Sequence, residues 1–576
     1  MHTTEIEIKF KKITGFYPNP MQIDMFQRLL KYDIGLLLKS PTGSGKTEAV
    51  IAPSLIKEYR LFMIYPATSL IDDQAKRLKN ILQKLSERNK EYSLIVDTGA
   101  ISERTVFRNG DALPPGKRHL YKADLILTTL DKFLYRFFGY GEPKKSYIFP
   151  FRIHNVLKKT LFCFDEAHSY DGVAFTNFAK LIRSLYEVDL NLVVMTATMP
   201  ESYLKSLDFL EVVEYSTGNN YSELEVFYPK EFPDRTIQYI KLEGSNDNET
   251  YEKALISQIS TLIEKEYSSS KKIIATLESV KNAANLYTSL ENKFKNIFLY
   301  HGRLPNERRR FVYDEIKKRE ENKEGYLLIT TSAIEVGCDL DSHLLITELC
   351  NPEQLIQRTG RCNRKGNIPN ARVIVVGDKI RDYIRTIPIE KEEEYKNWLL
   401  ENTLFNSTEL ANFISKDPLF DYRIEIMFDM LYEYVYESVI ENKPLHDKGL
   451  VITRSWEPSV TLTTNAKSPY NLENAITVPI TRFVEYNKDK DLDLECKILT
   501  INNGQITGLE KGYYCAYFKD IFVEIPRERY DLKLGYVDIP KVFHRKGRYG
   551  YKIIVGTSET VGKLTLWYIE PEVDIK

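Results

Sequence analysis

The stretch "IGLLLKSPTGSGKTEAV", residues 34–50, joins an apolar run to a small glycine-containing loop and a helix start at Lys46 and Thr47. Gly43 and Gly45 let backbone N–H groups converge on a phosphate, because no Cβ atom stands in the way. The positive end of the following helix adds to this attraction. The stretch therefore predicts a strand, a phosphate-binding loop and a helix.

The loop also supplies the side chains that nucleoside triphosphate binding requires. Lys46 offers a mobile ammonium for the β and γ phosphates, and the Thr47 hydroxyl suits Mg²⁺. The first position of the G-x-x-x-x-G-K-[ST] pattern is Ser40 rather than glycine, so the pattern is relaxed. The alternative is a coincidental glycine-rich turn. We expect ATP and Mg²⁺ as cofactors, with the ATP-binding residues of this loop being Thr42, Gly43, Ser44, Gly45, Lys46 and Thr47.

Composition limits the possible partners. With 80 basic and 81 acidic residues among 576, the net charge of −1 gives no general attraction to nucleic acid, so polyanion binding must be local. No apolar run reaches membrane-spanning length, and the first residues lack the apolar core of a signal peptide. We expect a cytoplasmic protein with no membrane partner. The six cysteines form no C-x-x-C pair, which favours reduced thiols in the core.

Two series of apolar runs define the fold class. Runs such as "RLFMIYP" and "LNLVVMTAT", spaced by helix-length segments, predict a parallel sheet covered on both faces. A second series begins after residue 216. The chain is thus predicted to be α/β, with two tandem RecA-like parallel-sheet domains, a helical linker region and a mixed, largely β accessory domain. The predicted boundaries are 1–215, 216–387, 388–445 and 446–576.

Two acidic residues follow a hydrophobic run in "TLFCFDEAHSYDG", residues 160–172. A phosphate-binding loop needs a metal-holding acid at the end of another strand. Asp165 is predicted to hold Mg²⁺ together with Thr47, and Glu166 to polarise the attacking water. The alternative is an ordinary acidic helix N-terminus after a strand.

Two arginines stand three residues apart in "LIQRTGRCNRKG", residues 355–366. On a helix, Arg361 and Arg364 would project from one face, where both guanidinium groups could grip a γ-phosphate from the opposing domain. The transition state of phosphoryl transfer spreads charge over oxygens that guanidinium groups stabilise. The alternative is a solvated helix face.

The ordered set "SPTGSGKT", "FDEAHSYD", "MTATMP", "TTSAIEVGCDLDS" and "QRTGRCNR" resembles superfamily 2 DExH-box helicases. The resemblance covers both α/β units. "DEAHSYDG", "TATMP" and the run from "SAIEVGCDLD" to "ELCNPEQLIQRTGRCNR" look like the helicase of type I CRISPR interference, whose usual member fuses an HD nuclease to the motor.

The resemblance implies further roles. Gln22 matches the glutamine that reads adenine, and Gly337, Asp339 and Gln357 match residues of the ATP site. A further set of residues is implied to couple the state of the bound nucleotide to binding of the nucleic-acid strand. These residues are His168, Thr196, Thr198 and Glu335. Threonines at strand ends can hold phosphates without reading bases, although threonine also caps helices. The predicted nucleic-acid contacts are Thr68, Thr128, Thr129, Thr276 and Thr330.

The chain departs from the usual family member in its histidines. An HD nuclease needs several His and Asp ligands, but only His2 precedes Gln22, and the pair His446–Asp447 has no nearby histidine. The resemblance therefore implies a stand-alone helicase subunit, with a separate HD nuclease subunit as partner. It also implies an ATP-dependent single-stranded DNA translocase or helicase, moving 3′ to 5′ and recruited by an RNA-guided CRISPR effector complex.

Two alternatives stay open. One is a general DExH-box DNA or RNA helicase in repair or RNA metabolism. The other is a nucleic-acid-stimulated ATPase switch that remodels a partner without unwinding.

Overall fold

The computed structural model describes most of the two α/β sheets and part of the C-terminal region. The described residues are 3–31, 34–40, 44–88, 90–99, 101–116, 121–138, 159–170, 172–196, 201–215, 235–242, 247–268, 271–335, 338–364, 366–382, 385, 387–406, 409–410, 412–414, 421–437, 453, 459–467, 475–479, 482, 484–486, 496–497, 499–502, 505–507, 509, 513–518, 521–526, 529–531, 533–538, 543–545, 551–556 and 561–566.

The chain divides into two compact units. The first comprises Met1–Pro233, Val336–Asp339 and Ser415–Arg454, and the second comprises Asp234–Glu335, Leu340–Ile414 and Ser455–Lys576. Each unit contains one large sheet of mainly parallel strands. The overall α/β class predicted from the sequence is confirmed, whereas the four boundaries given above stay a prediction.

The first unit is built on a nine-stranded sheet of order β5-β4-β3-β6-β2-β7-β8-β1-β9. All pairs are parallel except β3–β4 and β4–β5. The strands are β1 (Gly35–Lys39), β2 (Arg60–Tyr65), β3 (Tyr92–Asp97), β4 (Ser102–Arg108), β5 (Asp111–Ala112), β6 (Leu125–Thr129), β7 (Thr160–Phe164), β8 (Asn191–Thr196) and β9 (Glu211–Glu214).

Helices cover this sheet. They are α1 (Thr3–Thr14), α2 (Pro20–Leu29), α3 (Lys46–Lys57), α4 (Thr68–Ser86), α5 (Leu130–Phe137), α6 (Gly172–Glu187) and α7 (Glu201–Lys205). Within β1, Leu37 packs into one hydrophobic core, whereas Leu36 and Leu38 pack into another. Alternate side chains of one strand therefore enter two cores, as a sheet covered on both faces requires.

The second unit has a six-stranded sheet of order β10-β15-β14-β11-β13-β12, and every pair in it is parallel. Its strands are β10 (Arg235–Lys241), β11 (Lys272–Thr276), β12 (Ile297–Tyr300), β13 (Tyr326–Thr330), β14 (Leu344–Glu348) and β15 (Ala371–Gly377). Its helices are α8 (Asn248–Glu266), α9 (Val280–Leu290), α10 (Asn306–Glu321), α11 (Pro352–Thr359) and α12 (Ile389–Glu401).

Every apolar run predicted as a strand in these two units is a strand. The sequence reading missed β4, β5, β9 and β10, which lie at or near the sheet edges. In β10, exposed residues alternate with buried ones, as in "RTIQYIK". An edge strand is half-solvated, so its sequence lacks the continuous apolar run that identifies a buried parallel strand.

The segment predicted as a helical linker contains helices in its described parts, although residues 402–406 are not helical. α12 belongs to the second unit, whereas α13 (Tyr422–Tyr432) belongs to the first and continues into a π-helical turn, Glu433–Glu437. Phe428 and Leu431 of α13 are buried in the core of the first unit. None of the described helices is both long and apolar enough to cross a membrane.

The described C-terminal residues form short strands, in agreement with the predicted largely β region. They are β16 (Ser459–Thr463), β17 (Ala475–Pro479), β18 (Val484–Tyr486), β19 (Cys496–Lys497), β20 (Thr500–Asn502), β21 (Gln505–Thr507), β22 (Tyr513–Phe518), β23 (Ile521–Pro526), β24 (Arg529–Asp531), β25 (Gly535–Asp538), β26 (Phe543–Arg545), β27 (Tyr551–Gly556) and β28 (Val561–Leu566).

The hairpin β24–β25 is fastened to the turn that follows β12. His301 Nε2 lies 3.0 Å from the Leu534 carbonyl oxygen, and its Nδ1 accepts from the Arg303 N–H at 3.2 Å, so Nε2 carries the proton. Arg303 Nη1 donates to the Val537 carbonyl at 2.9 Å. Gly535 has a φ of +68°, and a Cβ there would lie 2.7 Å from the Arg303 carbonyl oxygen. The hairpin therefore requires glycine at this position.

Acid should weaken this attachment. Burial lowers the pKa of His301 from 6.5 to about 3, because the charged ring would be desolvated. The unfolded chain takes up this proton near pH 6.5, whereas the folded chain takes it up only near pH 3. The contribution of neutral His301 to the free energy of unfolding is therefore complete above pH 6.5 and decreases as the pH falls below it. Urea unfolding should show that the wild type loses about 2–3 kcal/mol of its free energy of unfolding, relative to His301→Gln, between pH 7 and pH 4.5. A difference that does not change with pH would contradict this reading.

Candidate nucleotide-binding site

The described part of the phosphate-binding loop surrounds a buried lysine. β1 is followed by Ser40, and α3 begins at Lys46 after Gly45, whose φ of 81° lies in the left-handed region. Lys46 Nζ donates to the Ser40 carbonyl at 2.8 Å, and Ser40 Oγ donates to Ser44 Oγ at 2.8 Å. The ammonium thus lies over the loop at the N-terminus of α3, where a phosphate would be attracted. Thr47 follows in the first turn of α3, and Thr42 and Gly43 lie outside the described residues.

The beginning of α2 holds the loop from its other side. Gln22 Nε2 donates to the Gly45 carbonyl at 3.0 Å, and Asn19 Nδ2 donates to the Ser44 carbonyl at 3.0 Å. Asn19 and Gln22 also form a reciprocal capping box at the helix N-terminus. The left-handed φ of Gly45 favours glycine here, and a Cβ would also lie 2.3 Å from Gln22 Nε2. The structure therefore gives Gln22 a contact with the loop backbone, and its contact with adenine stays a prediction.

Asp165 and Glu166 follow β7 at its carboxyl end. The Asp165 N–H donates to the Ile64 carbonyl at 2.9 Å, and Asp165 Oδ1 accepts from the Glu166 N–H at 2.9 Å. Burial and the neighbouring Glu166 charge raise the pKa of Asp165 to about 7, and the Lys46 ammonium opposes this shift. A buried carboxylate near a lysine is therefore placed beside the loop.

This donor set fits Mg²⁺. Mg²⁺ is usually held by one or two carboxylates together with substrate phosphates and water, and Asp165 with the Thr47 hydroxyl supplies such a partial set. A divalent cation would also favour the ionised form of Asp165 that burial disfavours. Among the described residues, no group of three or more His, Cys, Asp or Glu side chains could hold a metal without substrate.

The coupling residues predicted for the first unit are only partly described. Thr196 ends β8 with a buried side chain, and its carbonyl accepts from the Ser40 N–H at 3.0 Å, next to the loop. His168 lies in the 3₁₀ turn Ala167–Ser169, but its side chain is outside the described residues, as is all of Thr198.

The predicted strand-binding threonines lie at helix starts or strand ends. Thr68 begins α4, and Thr129 caps α5 by accepting from the Lys132 N–H at 3.3 Å. The hydroxyl of Thr128 donates to the Asp97 carbonyl at 2.8 Å. In the second unit, Thr276 and Thr330 are buried and face each other in register at the ends of β11 and β13. Their contact with phosphates stays a prediction.

The helical placement predicted for Arg361 and Arg364 is wrong. α11 ends at Thr359 with Gly360 as its C-cap, and Asn363 takes a left-handed φ of 47°. Both arginines therefore lie in the turn after the helix instead of sharing one helix face.

Backbone contacts fix this turn. Arg361 Nε donates to the Ile334 carbonyl at 3.2 Å and its Nη2 to the Glu335 carbonyl at 2.8 Å, and the Arg364 N–H donates to Asp341 Oδ1 at 2.8 Å. Of the other residues predicted near here, Gln357 is half-buried on α11, Asp339 is exposed, and Gly337 lies outside the described residues.

The sequence reading missed Arg358, which lies in the last turn of α11. Its side chain is fully buried beside the carboxylates of Glu278 and Glu335. Burial raises the pKa of Glu335 to about 7, although Arg358 opposes this shift. A signal was present, because Leu355 is three residues earlier on the same apolar helix face, and an arginine on a buried face needs partners.

Comparison with known proteins supports a helicase. The family model described as DEAD/DEAH box helicase matches residues 19–207, and the model described as CRISPR-associated nuclease/helicase Cas3, C-terminal, matches residues 269–367. The chain therefore carries a DEAD/DEAH-box helicase domain followed by a second, Cas3-like helicase domain. Its second helicase domain is Cas3-like, as the resemblance to the type I CRISPR helicase implied.

Individual relatives agree with this result. The CRISPR-associated nuclease/helicase Cas3 of Methanothermobacter thermautotrophicus is 27% identical over 338 residues, which are 57% of this chain and 38% of that protein. The putative CRISPR-associated nuclease/helicase Cas3 of Methanocaldococcus jannaschii is 23% identical over 465 residues, which are 77% of this chain and 58% of that protein. The chain thus spans about four tenths to six tenths of the length of these relatives.

A solved structure shares the fold. The crystal structure of T. fusca Cas3 with AMPPNP superimposes with a TM-score of 0.53 at 17% identity, covering 82% of this chain and 65% of that one. This likeness supports the two-sheet architecture.

Removing the loop lysine tests the site. Lys46→Ala should abolish ATP hydrolysis, because the Lys46 ammonium at this loop is the group expected to bind the β and γ phosphates. The measurement is steady-state phosphate release by the purified chain. Lys84→Ala, an exposed position in the last turn of α4, is the matched control and should keep full turnover. Unchanged turnover in Lys46→Ala would exclude this loop as the ATP site.

Proposed function

We propose that the protein is an ATP-dependent single-stranded DNA translocase or helicase that acts in type I CRISPR interference. The observation that carries the proposal is the first unit's site, where the buried Lys46 ammonium and the Asp165 and Glu166 carboxylates stand beside a phosphate-binding loop at the start of a helix. The DEAD/DEAH-box and Cas3-like matches support the nucleic-acid part of the proposal.

In the proposed reaction the chain's own groups orient the ATP and the water. Lys46 binds the β and γ phosphates, and the loop N–H groups at the start of α3 bind their oxygens. Asp165 and Thr47 hold Mg²⁺, which would neutralise the developing phosphate charge when bound. Glu166 accepts a hydrogen bond from the attacking water and takes its proton as the water oxygen bonds to the γ phosphorus. The bond from the γ phosphorus to the β–γ bridging oxygen breaks, so that ADP leaves with the electron pair of that bond.

The second unit contributes the arginines. We propose that Arg361 and Arg364 stabilise the charge of the transferring γ-phosphoryl group. Glu335, whose backbone carbonyl accepts from Arg361, links this turn to the strand end at Thr330. Gln22, Gly337, Asp339 and Gln357 complete the proposed ATP contacts.

The product of the cycle is movement along one strand. We propose that the threonines at the strand ends, Thr68, Thr128, Thr129, Thr276 and Thr330, hold phosphates of single-stranded DNA, and that ATP binding and release alternate their grip. His168, Thr196, Thr198 and Glu335 would transmit the nucleotide state. The resemblance supports 3′ to 5′ movement and recruitment by an RNA-guided effector complex. We also propose a cytoplasmic location.

A nuclease would act on the unwound strand. From the resemblance to the type I CRISPR helicase, we propose that an HD nuclease on a separate subunit receives DNA from this motor.

Polymer dependence of ATP hydrolysis tests the proposal. Hydrolysis is measured without polymer, with single-stranded DNA, and with single-stranded RNA, using Glu166→Gln as the blank. We expect strong stimulation by DNA and little by RNA. Stimulation by RNA alone would favour a general DExH-box helicase, and stimulation by neither would favour an ATPase switch, so either result would contradict the proposal.

The arginine role has its own test. Arg364→Ala should lower ATP turnover by about 10³-fold, because a positioned arginine stabilises the phosphoryl-transfer transition state by that order. ATP affinity, measured by titration with a fluorescent analogue, should change little. Arg372→Ala is the control, since Arg372 is on β15 and pairs with Glu266 at 3.1 Å. Normal turnover in Arg364→Ala would contradict the proposal that Arg364 of the second unit takes part in ATP hydrolysis.

A further inference from the structure

Arg358 joins three segments of the second unit through one buried guanidinium. Its Nε donates to Glu335 Oε1 at 2.7 Å, its Nη1 donates to Thr347 Oγ1 at 2.8 Å, and its Nη2 donates to Glu278. These partners lie in the turn after β13, at the end of β14, and two residues beyond β11. Arg358 and its partners Glu278 and Glu335 are each less than a tenth exposed in their side chains.

The same turn also carries Arg361. Its guanidinium donates to the carbonyls of Ile334 and Glu335, as described above. Glu335 is therefore held by its side chain through Arg358 and by its backbone through Arg361. A shift of the Glu335 turn would act on both arginines, because Arg358 binds its carboxylate and Arg361 binds its carbonyl.

The network also reaches the predicted strand-binding edge. Thr276 and Thr330 are neighbours in register at the ends of β11 and β13, and Glu278 follows Thr276 by two residues. The Glu278 N–H donates to Glu348 Oε2 at 2.9 Å, so Glu278 is held from its backbone too. A displacement at either threonine would thus act on a carboxylate that Arg358 binds.

We propose that Arg358 is a positioning residue that fixes Arg361 relative to the strand-binding edge, so that occupancy of this edge by single-stranded DNA sets the rate of ATP hydrolysis. The coupling to DNA rests on the proposed function. Arginine suits this role because its planar fork donates in several fixed directions and keeps its charge when buried. Lysine would keep the charge but not the three-way geometry.

The experiment compares three conservative variants in the full chain. Arg358→Lys keeps the charge, and Arg372→Lys is the control outside the network. Thr347→Val keeps the shape of the side chain but removes the hydroxyl that accepts from Arg358 and donates to the Glu348 carbonyl at 2.9 Å. For each, kcat and KM for ATP are measured with saturating and without single-stranded DNA, and Tm is measured by calorimetry. A lower kcat with an unchanged KM and an unchanged Tm would indicate a positioning role, whereas a lower kcat with a lower Tm would indicate loss of folded protein.

Arg358→Lys should lower the DNA-stimulated kcat by about tenfold or more while KM for ATP stays within about twofold, because small displacements of a reacting group cost rate rather than affinity. Thr347→Val should lower kcat in the same direction by a smaller factor, with Tm close to the wild type. Arg372→Lys should match the wild type in all readouts.

Wild-type kcat in both Arg358→Lys and Thr347→Val would overturn the proposal, as would a kcat loss no larger than the loss of folded protein. If Arg358→Lys does not fold, the proposal is tested by Thr347→Val alone, and wild-type kcat in that variant would overturn it. A wild type that DNA does not stimulate would contradict the proposed function instead, and the positioning role would then be decided by the unstimulated kcat.

Discussion

Burial of both faces of the two parallel sheets is the constraint on which the rest of the structure depends. Strands such as β2, β6, β7, β11 and β13 are buried along almost all of their length, so they carry apolar side chains. Charged and hydroxyl groups are therefore confined to the points where strands end and loops begin. Lys46, Asp165 and Arg358 all lie just beyond the sheet interior. The groups of the candidate nucleotide site lie near these strand ends because the interior of the sheets is filled by apolar side chains.

Carboxyl groups at these strand ends are buried, so their pKa values depend on the charged groups beside them. Asp165 and Glu335 both have their pKa raised to about 7, and desolvation is the main cause in each. Their surroundings differ. Glu335 is bound directly by the Arg358 guanidinium, which suits a permanent structural link. Asp165 stands beside Glu166 with Lys46 as the opposing charge, which suits a site completed by a divalent cation together with the nucleotide.

The second unit is held together by side chains that bind the backbone of distant segments. His301 and Arg303 bind the carbonyls of Leu534 and Val537, and Arg361 binds that of Glu335. Such contacts are made to backbone carbonyls, so they depend little on the identity of the partner residue.

The sequence by itself determined the two sheets, the phosphate-binding loop and the acids after β7, because each depends on a local pattern of apolar runs, glycines and charges. It missed the half-solvated strands β4, β9 and β10, whose patterns are weak. Only the tertiary structure decided that Arg361 and Arg364 leave the helix, that Gln22 binds the loop backbone, and that Arg358 binds Glu278, Glu335 and Thr347 at once. These arrangements join residues from separate strands and turns, and spacing along the chain cannot specify which of many possible partners a buried guanidinium or carboxamide meets.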